Sequence, residues 1–169
     1  MCSYPDESKR TKHLTRSLMS IRIIAIGKKH ESWIIEGLER YQERLKKPYD
    51  VEWVLLPHSS LEGISARKEE SERILSKVDT SAHVVLLDEI GRNITSSELA
   101  GMLERQFAHK PITIVIGGAY GVTPELQQRA DFIWSLSRLV FPHQLVRLVL
   151  IEQLYRAQEI QTGGKYHHL

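Results

Sequence analysis

Short runs of β-branched and other apolar residues alternate with longer amphipathic stretches through nearly all of the chain after residue 20. Such runs predict buried strands, and the stretches between them have the three- to four-residue spacing of helices with one apolar face. A regular alternation of strand and helix predicts an α/β fold, with a mainly parallel sheet and helices on both faces. Strands are predicted at 21–27, 51–56, 83–87, 112–116 and 132–136.

Capping residues mark where the predicted helices begin. Ser32 is predicted to cap the first helix, and Thr95 with Glu98 three residues later forms a capping box for the third. A mostly charged second helix is predicted over 64–78. Thr123 precedes a proline, which is the usual start of a helix, so a fourth helix is predicted there.

The final helix, predicted over 145–160, has apolar residues around most of its circumference. A surface helix shows a single apolar stripe, so this helix is predicted to be covered on two sides. In a domain of this size, a second subunit would be a suitable cover. The pattern therefore predicts a homodimer.

The chain of 169 residues is long enough for one domain with its own core, which we place at 19–169. Residues 1–18 are polar and show no periodicity, so they are predicted to form a flexible tail. This segment also holds the basic excess, because it has four basic and two acidic residues. Subtracting these from the 23 basic and 21 acidic residues of the whole chain leaves equal numbers of each. A neutral body gives no general signal of nucleic-acid binding, so any RNA interaction must depend on local residues.

Several classes of protein are disfavoured by what the sequence lacks. Cys2 is the single cysteine, so one chain can form neither a disulfide nor a cysteine-based metal site, and a reducing compartment suits it. No histidine pair has the helical spacing of a zinc site. No apolar run approaches the roughly 20 residues of a membrane helix. We therefore predict a soluble, cytoplasmic protein without metal or membrane segment.

A glycine-rich loop, residues 117–121 (GGAYG), follows the fourth predicted strand. Glycines at this place permit the close approach of a ligand, and they equally suit a tight turn without one. The loop matches neither the G-x-G-x-x-G dinucleotide pattern nor a P-loop, so both of those functions are disfavoured.

A second loop, residues 135–144, follows the fifth predicted strand and contains Ser135, Ser137 and His143. These side chains can line a pocket; alternatively, the serines end the strand and His143 caps the final helix. There is no G-x-S-x-G motif, so a serine hydrolase is disfavoured. Ligands bind at the carboxyl ends of parallel strands, so the loops after the third, fourth and fifth strands are the predicted ligand site.

Charged and aromatic residues near the C-terminus are the remaining candidates. Arg156 interrupts the apolar surface of the final helix and could reach a phosphate or a ligand, whereas Glu152 is interpreted as the buried partner of an arginine. Tyr166, His167 and His168 suit contacts with an RNA base or backbone. The alternative for these last residues is a frayed terminus.

Three segments together resemble the RlmH family of ribosomal RNA methyltransferases, in the SPOUT superfamily: IGGAYG, SLSRLVFPHQLVRLVLIEQLYRAQEI and the terminal KYHH. The resemblance covers the chain in order from Met19 to Leu169, and residues 1–18 have no counterpart. It implies a homodimer and a C-terminal trefoil knot, an exception to the rule against threaded chains. It further implies binding of S-adenosyl-L-methionine and methylation of N3 of a pseudouridine in 23S rRNA of the large ribosomal subunit.

The resemblance also implies which residues bind the cofactor. Val140 departs from the family pattern, which commonly has threonine there, so affinity is expected to fall if that hydroxyl is needed. The implied cofactor-binding residues are Leu87, Gly117, Gly118, Leu136, Ser137, Arg138, Leu139, Val140 and Phe141.

The implied catalytic residues are His143, Arg156, Tyr166 and His167, with the tail of one subunit completing the pocket of the other. We hypothesise that His143 or His167 handles the N3 proton and that Arg156 stabilises charge or binds a phosphate. Tyr166 is expected to stack or to donate a hydrogen bond near the target base.

Two other functions stay open from the sequence. An RNA-binding assembly factor with the same fold would bind the cofactor without transferring a methyl group, and Val140 is the one hint of it. A flavodoxin-like nucleotide or redox module would follow from the strand–helix alternation alone. A flavin colour in the purified protein would favour the latter.

Overall fold

Five strands and five helices alternate along residues 20–166, the part of the chain that the computed structural model describes. The predicted tail at 1–18 lies outside this part. The strands are β1 (Ile21–Ile26), β2 (Val51–Leu56), β3 (His83–Arg92), β4 (Ile112–Ile116) and β5 (Phe132–Trp134). The helices are α1 (Ser32–Gln42), α2 (Gly63–Leu75), α3 (Ser96–Phe107), α4 (Pro124–Arg129) and α5 (His143–Thr162).

The strands form a single sheet in the order β2-β1-β4-β3-β5, and every neighbouring pair is parallel. This arrangement confirms the predicted α/β class. All five residues of β4, the central strand, are buried, which explains why that strand is a continuous apolar run in the sequence. The trefoil knot implied by the family resemblance stays a prediction.

Hydrophobic clusters lie on opposite faces of the sheet. One joins Ile23 of β1 to helices α1, α3 and α5, and the other joins Ile24 of the same strand to α2 and α4. Successive side chains of a strand point to opposite faces, so neighbouring residues enter different clusters. Helices therefore cover both faces, as predicted.

The helix starts agree only in part with the prediction. The capping box is present, with the Glu98 N–H donating to Thr95 Oγ1 at 3.1 Å and the Thr95 N–H donating to Glu98 Oε2 at 2.8 Å. Ser32 does not cap α1, because Glu31 holds the N-cap position and Ser32 is the first helical residue. The Glu31 N–H donates to Gln144 Oε1 at 3.0 Å, so a contact with α5 fixes this boundary.

Strand ends also differ near the predicted ligand site. The third strand continues past Leu87 to Arg92, because the chain returns there to pair with Trp134. The fifth strand stops at Trp134 rather than at residue 136, and the next amide, that of Ser135, donates to the Arg92 carbonyl oxygen at 3.0 Å. The pairing of β3 with β5 is therefore irregular beside the predicted ligand site.

Helix α5 is packed from two sides within one chain, by α1 and by α3. It is slightly longer than predicted and ends at Gly163, whose φ of 70° is a left-handed C-cap. Its own residues Leu150, Ile151 and Leu154 are fully buried. The neighbouring helices thus supply much of the cover expected for this helix, and the second subunit stays a prediction.

Candidate active site

The carboxyl ends of β3, β4 and β5 lie side by side at one edge of the sheet. Leu87 pairs in register with both Ile116 and Trp134. The loops after these residues therefore leave the sheet at one place, which is where parallel α/β sheets bind ligands.

These loops enclose a cavity of about 310 Å³, at the small end of the range for small-molecule sites. Leu139 and Val140 line it although they are 69% and 80% exposed, so they form its rim. Arg138 is the one predicted cofactor residue that does not line the cavity, and it is exposed. The other predicted cofactor residues all line it: Leu87, Gly117, Gly118, Leu136, Ser137, Leu139, Val140 and Phe141.

The turn after β4 requires glycine at two positions. A β-carbon at Gly117 would lie 2.7 Å from Val122 Cγ1, and one at Gly118 would overlap the Glu70 carboxylate. The Gly121 N–H closes the turn by donating to the Gly118 carbonyl oxygen at 3.1 Å. The tight turn is thus present, and its residues also line the cavity.

Side chains of the loop after β5 hold its backbone in place. Ser135 is buried and donates through Oγ to the Ser137 carbonyl oxygen at 2.7 Å. Asn93 Nδ2 donates to the Ser135 carbonyl oxygen at 2.9 Å, and Ser137 Oγ accepts from the Leu139 N–H at 3.0 Å. These hydroxyls are used within the loop, and the other loop residues that line the cavity are apolar: Leu136, Leu139, Val140 and Phe141.

His143 is the first residue of α5 and lines the cavity. The interpretation of His143 as a helix cap is wrong, because Pro142 holds the N-cap position. Burial lowers the pKa of His143, the charges of Arg147 and His58 lower it further, and that of Glu70 partly opposes them. The lowered pKa keeps the imidazole neutral at physiological pH, and a neutral imidazole can accept a proton.

The wall of the cavity is acidic. Asp88 and Glu89 line it, and no lysine or arginine does so among the residues of 20–166. A ligand with phosphate groups would meet negative charge without compensation, whereas a neutral or cationic ligand would be favoured. Within the same range, no group of three or more His, Cys, Asp or Glu could hold a metal ion.

Arg156 and Tyr166 lie together and do not line the cavity. Both donate to Glu152 Oε1, Arg156 through Nε at 3.0 Å and Tyr166 through its hydroxyl at 3.1 Å. Glu152 is thus the partner of an arginine, as predicted, but the pair is half-buried rather than buried. At about 1.5 Å per residue, α5 separates His143 from Arg156 by about 20 Å. His167, the fourth predicted catalytic residue, lies outside the described part of the chain.

Tyr166 is also fixed by aromatic neighbours. Its ring centroid lies 4.8 Å from that of Tyr155, and the guanidinium of Arg156 lies 4.8 Å from the Tyr166 centroid. Burial raises the pKa of Tyr166, and hydrogen bonds with Tyr41 and Glu152 raise it further. The phenol therefore stays protonated and can donate a hydrogen bond, but it cannot serve as a base.

Several cavity residues were not selected from the sequence. Asp88 and Glu89 follow directly from the end of the apolar part of β3, Trp134 ends β5, and Val146 lies one turn into α5. The position of Asp88, Glu89 and Trp134 at or just beyond the strand ends was the available signal, because all such residues meet at one edge. Val146 had no such signal.

No helix within residues 20–166 is both long and apolar enough to cross a membrane.

Comparison with known proteins identifies the family of the chain. Residues 19–167 match the family described as "Predicted SPOUT methyltransferase". Three relatives carry the name "Ribosomal RNA large subunit methyltransferase H". The one from Desulfitobacterium hafniense (strain DSM 10664 / DCB-2) is 37% identical over 159 residues, covering 89% of this chain and 99% of the relative.

The other two relatives match to a similar extent. That from Acetivibrio thermocellus is 40% identical over 158 residues, covering 88% of this chain and 99% of the relative. That from Geobacter metallireducens is 39% identical over 155 residues, covering 89% and 99%. The family match spans the whole sheet and every loop of the cavity. The chain therefore belongs to the SPOUT methyltransferase family.

Proposed function

We propose that the chain is an S-adenosyl-L-methionine-dependent methyltransferase that methylates N3 of a pseudouridine in 23S rRNA of the large ribosomal subunit. The observation that carries this proposal is the cavity, which gathers nearly every residue that the family resemblance assigns to the cofactor. The names of the three relatives support large-subunit ribosomal RNA as the substrate. An action on ribosomes would place the protein in the cytoplasm.

The chemistry of the cavity fits S-adenosyl-L-methionine. This cofactor is a nucleoside without phosphates that bears a sulfonium cation, and the acidic wall with Asp88 and Glu89 favours such a charge. Apolar side chains such as Leu136 and Phe141 offer surface for an adenine ring. The same wall opposes the phosphate of a flavin mononucleotide, so the flavodoxin-like alternative is disfavoured.

The residues of the chain would mainly position and deprotonate the target. When bound, the cofactor supplies an electrophilic methyl group, so the protein has to align the nucleotide and exclude water. The N3–H of the base must be lost during methylation, and the neutral imidazole of His143, which lines the cavity, would accept that proton. Arg156 would stabilise charge or bind a phosphate, Tyr166 would contact the base, and His167 is the alternative proton acceptor.

A homodimer would bring His143 of one subunit together with Arg156 of the other. Arg156 lies about 20 Å along α5 from His143, so one subunit cannot place both at the same reacting atoms. Large apolar side chains are exposed, including Leu139 and Val140 on the rim of the cavity and Trp33 at the start of α1. A second subunit that covered these side chains would remove apolar surface from water.

Methyl transfer from labelled S-adenosyl-L-methionine to ribosomes that lack the modification tests the proposal, with free ribosomal RNA alongside. The neutral body of the chain predicts label in intact ribosomes and little in free RNA, because few phosphate contacts are available to hold an isolated RNA. Cofactor binding without label in either substrate would instead favour the non-catalytic assembly factor.

A further inference from the structure

Helix α2 holds the glycine turn of the cavity at both ends. Ser71 Oγ accepts a hydrogen bond from the Thr123 N–H at 3.0 Å, just beyond the turn. The preceding residue, Glu70, lies directly against Gly118 within the turn. A helix that is mostly charged in sequence therefore packs two of its polar side chains beneath the cavity.

Glu70 is an unusual residue at this place because it is only 4% exposed. Its Oε1 accepts from the Ser59 N–H at 2.9 Å, and His58 Nδ1 lies 3.7 Å from the same oxygen. Its other oxygen, Oε2, is buried without any hydrogen-bond partner and faces Gly118. A buried acceptor without a donor is costly, so a compensating interaction is expected at this point.

The charge of Glu70 reaches the cavity. Glu70 favours the protonated form of His143, which lines the cavity, although burial and the charges of Arg147 and His58 outweigh this effect on the pKa. Glu89, which also lines the cavity, is exposed to water. Water and salt screen the charge of an exposed carboxylate more strongly than that of a buried one.

We propose that the buried carboxylate of Glu70 makes the cavity select a cationic methyl donor over its neutral demethylated product. This inference rests on the proposed function. S-adenosylmethionine carries a sulfonium, and S-adenosylhomocysteine carries an uncharged thioether in its place, so the two ligands differ by one methyl and one charge. Glu70 acts as a positioning residue behind Gly118: its charge holds the donor before transfer and weakens the hold on the product afterwards.

Calorimetric titration of both ligands into Glu70→Gln tests this inference without measuring turnover. Loss of the charge should weaken binding of S-adenosylmethionine by about tenfold and that of S-adenosylhomocysteine by less than about twofold. Glu72→Gln removes the same charge from the exposed side of the same helix and should change neither affinity.

Equal weakening of both ligands, or no change in either, would overturn the inference and leave Glu70 a purely structural residue. Absence of binding of both ligands to the wild-type chain would instead count against the proposed function. If circular dichroism shows Glu70→Gln to be unfolded, the comparison of Glu70→Asp with Glu70→Asn replaces it. Both substitutions shorten the side chain equally, and only Glu70→Asn removes the charge. The inference therefore requires that only Glu70→Asn lose the preference for S-adenosylmethionine over S-adenosylhomocysteine.

Discussion

The guanidinium of Arg147 donates a hydrogen bond to the Ile26 carbonyl oxygen at 2.7 Å, joining α5 to the carboxyl end of β1. Arg147 is fully buried and also donates to the carbonyl oxygens of Gly27, at 3.1 Å, and Lys29, at 2.9 Å. Burial lowers the pKa of Arg147, with the charge of Glu31 opposing this. Arg147 thus supplies hydrogen-bond donors to backbone carbonyl oxygens at the end of β1 and in the loop that follows it.

Replacing Arg147 with Met should therefore destabilise the protein strongly. The buried carbonyl oxygens of Ile26 and Gly27 would lose this donor, so the free energy of unfolding should fall by about 3 kcal/mol. Urea denaturation measures this change. Arg105→Met, an exposed position on α3, is the control and should change the value by less than about 0.5 kcal/mol. A loss below about 1 kcal/mol for Arg147→Met would contradict the anchoring role.

Replacing Gly118 with Ala should weaken cofactor binding strongly, because the new β-carbon would overlap the buried Glu70 carboxylate and displace the turn. We expect S-adenosylmethionine affinity to fall more than about tenfold in calorimetric titration. Gly101→Ala is the matched control: its β-carbon meets only the flexible end of Arg105 at 3.3 Å. That change should leave binding intact and raise the free energy of unfolding by about 0.5–1 kcal/mol, because alanine favours helix. Undiminished binding by Gly118→Ala would show that the turn does not form the site.

The titration of His143 should be visible in the pH dependence of methyl transfer. Burial lowers the pKa of His143 below its ordinary value of about 6.5. The imidazole is therefore already neutral at about pH 6.5, and the rate of methyl transfer should fall only when the pH drops through the lowered pKa. NMR titration of the imidazole gives the midpoint directly. His143→Gln should lower the rate and remove this acid limb. A midpoint above 6.5 would contradict the lowered pKa, and an unchanged acid limb in His143→Gln would exclude His143 as the proton acceptor.

Subunit mixing tests whether the active site is composite. Gly118→Ala damages the cavity, and Arg156→Ala damages the group at the far end of α5, so each variant alone should be nearly inactive. In a heterodimer of the two variants, one of the two sites combines an intact cavity with an intact Arg156. About half of the dimers in an equal mixture are heterodimers, so the mixture should recover about a quarter of wild-type activity. If the mixture stays inactive although mass spectrometry shows heterodimers, the site lies within one subunit.

Much of the fold could be predicted because the inner strands are buried apolar runs and because one helix, α3, is capped locally. The five apolar runs correspond to the five strands, and the Thr95–Glu98 capping box depends only on residues three positions apart. The start of α1 could not be predicted, because the hydrogen bond from Glu31 to Gln144 joins residues far apart in the chain.

The cavity was predicted as a set of loops, and the parallel register brings those loops together. Glu70 could not be found in this way. A glutamate within a charged helix is normally exposed, and its burial depends on the packing of α2 beneath Gly118. Arg156 and His143 are separated because α5 is one continuous helix between them. The family resemblance accounts for this distance by a pocket that two subunits share.

The most direct test of the central claim is to map the labelled nucleotide after reaction with S-adenosyl-L-methionine and ribosomes that lack the modification. Nuclease digestion followed by mass spectrometry should find the new methyl group on N3 of a pseudouridine in 23S rRNA, and Gly118→Ala should yield none. A methyl group on another nucleotide would contradict the proposed substrate. Equal labelling by Gly118→Ala would contradict the assignment of the cavity.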